Sequence, residues 1–177
     1  MSAPSKDSKI VNCLFFASQA EEAAKFYTSI FPNSSIDEIV HFPEASTKMH
    51  GQPAGSVMLV VFSLNGQCFT ALNSRPAEVN FTEAVSFQVT CDDQEEVDHY
   101  WDKLSEGGDE TVQMCGWLKD KYGVSWQVVP KDLMKLMLGA TPENRWKAMQ
   151  AFGKMRKIVL RDVLDAVEGK NEKAAET

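Results

Sequence analysis

The chain has 177 residues, 44% of them hydrophobic, enough to bury roughly 70% of its unfolded surface as one domain or as two half-sized modules sharing a core. Its 25 acidic and 18 basic residues give a formal net charge of -7; with no basic stripe to follow a phosphate backbone, nucleic acid is not an expected partner. No apolar run approaches the roughly 20 residues of a membrane span, so a soluble protein with no membrane partner is expected.

The first nine residues are polar, lack the apolar core of a secretory signal and are predicted to be a frayed tail. A strand-like stretch, residues 10–16, follows. Ser18-Gln19-Ala20-Glu21 then has the form of a capping box, predicting a helix whose buried stripe is Ala23, Phe26, Tyr27, Ile30 and Phe31 and which ends at Pro32-Asn33-Ser34. Strand signals come next at 36–42, 56–64 and 67–73, with Asn65-Gly66 as a two-residue hairpin turn. The excursion at 43–55, rich in Gly, Pro, Ser and Lys, reads as a mobile flap or an edge excursion.

The stretch 12–30 is matched by 86–104, an offset of 74 residues. In the second copy a strand over 84–91 leads to Asp92 as cap, Glu95 three residues on, and a stripe of Val97, Tyr100, Trp101 and Leu104 before Gly107-Gly108. Shorter strands are predicted at 110–114, 116–119 and 124–129, with a turn near Tyr122-Gly123. The predicted fold class is therefore α+β, two βαβββ modules (10–76 and 84–130) in one domain spanning 10–168. A helical extension over 131–168 opens a helix at Thr141-Pro142-Glu143 and is expected to pack on the sheet or on a second subunit. Residues 169–177 read as a disordered tail.

Four cysteines, Cys13, Cys68, Cys91 and Cys115, have no CxxC spacing, which predicts buried neutral thiols in a reducing, cytoplasmic compartment.

The segments Gln19-Ala20-Glu21-Glu22-Ala23-Ala24, Phe26-Tyr27, Phe31-Pro32-Asn33, Asn65-Gly66-Gln67, Ala71-Leu72-Asn73, Cys115-Gly116-Trp117 and the run from Tyr122 to Pro130 resemble the PhnB-like, demethylubiquinone methyltransferase-like family. That family belongs to the vicinal oxygen chelate superfamily, with glyoxalase I and the bleomycin and fosfomycin resistance proteins. The resemblance implies a curved sheet around a pocket between the modules, frequent homodimers and, in metal-dependent members, four His or Glu ligands on the first and last strands of each module. Carried over by the repeat, those positions are Asn12, Asn73, Ser86 and Gln127. None is a His or a carboxylate, and neutral amides and hydroxyls are weak ligands for zinc, nickel or ferrous ions, so no metal is expected. His41, His50 and His99 are too scattered to form a cluster.

The methyltransferase label implies adenosylmethionine, yet no strand is followed by a glycine-rich turn, and no cofactor is expected. What remains is a pocket lined by Asn12, Leu14 and Phe16, by Ser86, Gln88 and Thr90, and by Asn73 and Gln127, with Trp117 and Trp126 close by in sequence. These polar groups either bond one another across a site that has lost its metal or bind a small organic ligand. The leading function is metal-independent binding of an unspecified small molecule by a homodimer. The alternative is an enzyme of glyoxalase or dioxygenase type, or of the methyltransferase-like activity named for the family, using a loosely held metal or the thiols of Cys13 or Cys115. Catalytic residues are not assignable from the sequence.

Overall fold

The computed structural model describes residues 9–44, 51–73 and 80–170. Residues 1–8 and 171–177 of the predicted tails, the middle of the 43–55 excursion with His50, and Pro76 lie outside the described residues. The chain divides into two compact units, Met1–Asn80 and Phe81–Thr177, one per module. No helix among the described residues is long and apolar enough to cross a membrane.

The first unit runs β1 (Asn12–Phe16), α1 (Ala20–Ile30), β2 (Ser35–His41), β3 (Val57–Leu64) and β4 (Gln67–Asn73), with sheet order β1-β4-β3-β2. β1 and β4 are parallel and the other pairs antiparallel. Asn65 and Gly66 close the β3–β4 hairpin with φ of 46° and 80°, the two positive dihedrals that a type I′ turn demands and that asparagine and glycine tolerate best. On β4, Phe69, Ala71 and Asn73 are buried while the alternate residues are not, so one sheet face is closed. α1 lies on β3 and β4 and buries Ala23, Ala24, Tyr27 and Ile30. Tyr27, Phe62 and Val60 are fully buried, and Phe62 stacks on Phe69 with ring centroids 5.4 Å apart. Each such side chain contributes about 1.5–3 kcal/mol.

The start of α1 departs from the predicted capping box. Its N-cap residue is Gln19, which makes no side-chain cap bond; the Ala20 amide donates instead to Asn73 Oδ1 at 2.9 Å. Glu21 pairs with Lys25 at 2.7 Å. A long-range acceptor on β4 replaces the local one because the strand end lies beside the first turn.

The second unit runs β5 (Phe87–Cys91), α2 (Gln94–Ser105), a 3-10 turn (Glu110–Val112), β6 (Trp117–Lys119), β7 (Ser125–Pro130), α3 (Lys131–Gly139), α4 (Pro142–Phe152) and α5 (Leu160–Val167), with sheet order β5-β7-β6. The capping box of α2 is one residue later than predicted: Asp93 Oδ1 accepts from Glu96 N at 2.9 Å while Glu96 Oε2 accepts from Asp92 N at 2.7 Å. The predicted strand at 110–114 is the 3-10 turn. Asp109 Oδ1 accepts from both the amide and the hydroxyl of Thr111, a local bond that competes with strand pairing, and only Met114 bridges to Trp117. The second copy of the module thus keeps the β-α framework but loses one strand.

The extension packs on its own unit. Thr141 caps α4 as predicted, with Pro142 in the first turn. Val129, Leu133, Ala148, Ile158 and Val163 form one buried cluster, against which Phe152 and Met155 are partly buried. On the same helix as Phe152, Trp146 and Met149 stay 59% and 44% exposed. Between α4 and α5 the chain crosses α2 and the Cys115-Gly116 turn, where Cys115 N and Gly116 N donate to Met155 O and Arg156 O at 2.8 and 2.9 Å. Gln94 grips it at both ends, donating to Ile158 O at 3.1 Å and accepting from Leu160 N at 2.9 Å. Lys157 pairs with Asp98 at 2.9 Å.

Candidate ligand-binding face

In a sheet, alternate residues share a face, and the pairing registers sort the predicted site residues. Across the second sheet Phe87 pairs with Trp126, Gln88 with Gln127, Trp117 with Gln127 and Lys119 with Ser125. The Trp126 face is the closed one: Cys91, Leu118, Trp126 and Val128 are buried, and α2 lies on β7. There the Trp126 indole donates to Asp120 Oδ2 at 2.8 Å, while Asp120 Oδ1 accepts from Tyr122 N and Val124 N at 2.8 and 3.0 Å. Asp120 is a buried carboxylate serving as the staple of the β6–β7 turn, a role the sequence reading missed.

The opposite face carries Ser86, Gln88, Gln127 and Trp117 together. Gln127 Nε2 donates to Ser86 Oγ at 2.8 Å, the pair being partly buried. Two further residues belong to this face by the same alternation. Ser125 is 2% exposed, and its hydroxyl is the one buried side-chain polar atom without a hydrogen-bond partner among the described residues. Lys119, opposite it, forms an ion pair with Glu83, whose carboxyl the Lys119 hydrogen bond holds below the usual carboxylate range. Both could have been read from the sequence by stepping two residues from Gln127 and from Trp117.

The first unit treats its four predicted residues differently. Leu14 and Phe16 are 5% and 3% exposed, on the face of β1 that alternates with the exposed Cys13. Asn73 is 5% exposed, its carboxamide accepting from Ala20 N and donating to Val57 O at 2.9 Å. Asn12 pairs with Phe69 and Phe16 with Asn73, so Asn12 and Asn73 stand four residues apart along the strands, about 13 Å. They do not converge on one ion. The physical reason is a slip in the repeat. Three residues separate β1 from α1 and two separate β5 from α2, so helices repeat at 74 while strands repeat at 75, and Leu14 corresponds to Val89 rather than Gln88. By the strand registers, the first-unit counterparts of Gln88 and Gln127 are Cys13 and Thr70.

The superfamily metal does not fit these residues. Neither the set Asn12, Asn73, Ser86, Gln127 nor the corresponding Cys13, Thr70, Gln88, Gln127 offers more than one anionic donor. Among the described residues no three His, Cys, Asp or Glu are grouped to hold an ion. Adenosylmethionine fits no better. Neither strand-to-helix turn, Ala17-Ser18-Gln19 or Asp92-Asp93, holds a glycine for close approach, and the first amide of α1 is taken by Asn73.

The thiols differ in kind. Cys91 is fully buried, and desolvation, reinforced by Glu96, Asp92 and Asp93, pushes its pKa up to about 12. Cys115 is half-buried and donates to Gly153 O at 3.6 Å, whereas Cys13 is exposed. The expectation that all four are buried therefore holds for Cys91 alone.

A family model described as 3-demethylubiquinone-9 3-methyltransferase matches residues 8–129, and the extension lies beyond that match. Among solved structures the chain is similar to the PhnB protein from Bacillus cereus, at 39% identity over 69% of this chain and 98% of that one, with a TM-score of 0.60. Protein PA1353 from Pseudomonas aeruginosa shares the fold at 20% identity, covering 68% of this chain and 96% of its own, with a TM-score of 0.52. The fosfomycin resistance protein FosX from Listeria monocytogenes matches at 14% identity over 73% of this chain and 96% of its own, with a TM-score of 0.47. No curated protein matches the chain.

Proposed function

The chain belongs to the PhnB-like, 3-demethylubiquinone-9 3-methyltransferase family of the glyoxalase/bleomycin resistance fold, and from that premise we propose that it binds a small organic molecule without a metal. The binding surface is the face of the second sheet opposite the one on which α2 lies. One observation carries this reading: the Gln127–Ser86 hydrogen bond of 2.8 Å, itself only partly buried, gathers neutral polar groups, with Gln88 and the Trp117 indole, on the face opposite α2. Amides and hydroxyls orient a ligand by directional hydrogen bonds, and an indole supplies stacking area. Leu14, Phe16 and Asn73 are engaged in the core of the first unit and lie outside this surface. Four free thiols support a reducing, cytoplasmic setting, and the exposed Trp146 and Met149 support a homodimer, since such side chains favour a partner surface.

A thermal-shift screen of small neutral and anionic organic compounds tests the reading. Hits should raise the melting temperature of the parent and lose that effect in Gln127→Leu, whose volume is similar but whose amide is gone. Hits that act equally on both proteins would place the ligand elsewhere.

A further inference from the structure

We propose that Lys119 and Ser125 form an anion subsite on this face, which the Glu83 carboxylate fills in the free protein, so that the ligand is a flat organic anion. The inference rests on the reading that the face binds a small molecule and adds the charge of that molecule. Three observations carry it. Lys119 sits directly across the sheet from Ser125, a register that brings side chains to about 5 Å of each other. The Ser125 hydroxyl is buried without a partner, which native folds rarely tolerate unless the group has another use. The Lys119 side chain is only 22% exposed, while its partner Glu83 is 57% exposed. The cation thus belongs to the face, and the carboxylate is the part that can swing away into water.

An arriving carboxylate would take the place of Glu83 on the ammonium and give the Ser125 hydroxyl an acceptor. Two residues along the strands, Trp117 and Gln127 stand opposite each other, where a conjugated or aromatic body attached to that carboxylate would meet an indole and an amide. Because exchange of one carboxylate for another leaves the charge balance unchanged, affinity depends on the remainder of the ligand, and a bare inorganic anion is a poor competitor.

Chemical-shift titration of the full chain with benzoate, and with its neutral isostere benzamide, tests the subsite. Benzoate should perturb Trp117 and the amides of β6 and β7. Glu83→Gln should bind benzoate about three- to fivefold more tightly, the factor of a lost surface competitor, and Lys119→Met should abolish the preference for benzoate over benzamide. Ser125→Ala, an almost isosteric change, should weaken benzoate without lowering the melting temperature. If both probes perturb the face equally in the parent and in Lys119→Met, the subsite is wrong while the face stands. If neither probe perturbs the face in any variant, both the subsite and the reading beneath it are overturned.

Discussion

The carboxamide oxygen of Asn73 accepts the Ala20 amide at 2.9 Å across 53 residues of sequence, joining the last strand of the first unit to the first turn of α1. Its amide nitrogen donates to Val57 O at 2.9 Å, so one buried side chain satisfies a helix terminus and a strand end together. Asn73→Ala removes the cap and leaves a carbonyl unpaired, and should cost about 1–3 kcal/mol. Chemical denaturation followed by circular dichroism measures this. An unchanged midpoint would show that the cap is replaced by water at no cost.

The registers separate two placements of engineered ligands. Gln88 and Gln127 are directly paired, with Cβ atoms about 5 Å apart, so Gln88→His with Gln127→His should create nickel affinity visible by isothermal titration. Asn12→His with Asn73→His, about 13 Å apart, should not. Equal binding by both double variants would mean that the strand slip has been misjudged.

Much of the fold was legible in the sequence because it is set locally. Helical spacing placed the buried stripes of α1 and α2, Asn65-Gly66 marked its hairpin, and Thr141-Pro142 opened α4. The features that eluded the sequence depend on distant partners or on single-residue counts. Asn73 read as a pocket residue because nothing near it in sequence shows that Ala20 and Val57 consume both its polar groups. The matching acids of α2 look the same at either register, so the cap fell on Asp92 instead of Asp93. One extra residue before α1 reversed the face assigned to Asn12, Leu14 and Phe16, since strand parity has a period of two. Ser86, Gln88, Trp117 and Gln127 share one face by register because the alternation was counted within a single copy of the repeat, where no residue intervenes to shift it.

Cys91 gives the second unit an alkaline liability. Its pKa rises from an ordinary 9.0 to about 12 through burial first and nearby acids second. Below pH about 9 both folded and unfolded thiols are protonated, and the contribution is fully present. As pH climbs toward about 12 the unfolded chain releases a proton that the folded chain retains, and stability falls by about 1.4 kcal/mol per pH unit. Cys91→Ala should be less stable at neutral pH but show a shallower loss between pH 9 and 11. Parallel slopes for parent and variant would contradict the assignment.

Gly116 fixes the path of the extension. Its φ is +84°, and a Cβ there would stand 2.8 Å from both Ile158 Cδ1 and Val128 O, one of them backbone that cannot yield. Gly116→Ala should cost about 1–3 kcal/mol and speed amide exchange in residues 155–160 ahead of β3 and β4. Exchange unchanged in 155–160 would mean that Gln94 and Lys157 alone hold the crossing.

Native mass spectrometry of freshly purified protein, alongside Gln127→Leu, asks whether the face of the second sheet opposite α2 holds an organic ligand and no metal. Dimer peaks are expected, with less than about a tenth of an equivalent of transition metal and a small organic adduct on the parent that Gln127→Leu retains poorly. A near-stoichiometric divalent ion that survives dialysis, or an adduct held equally by both proteins, would contradict this expectation.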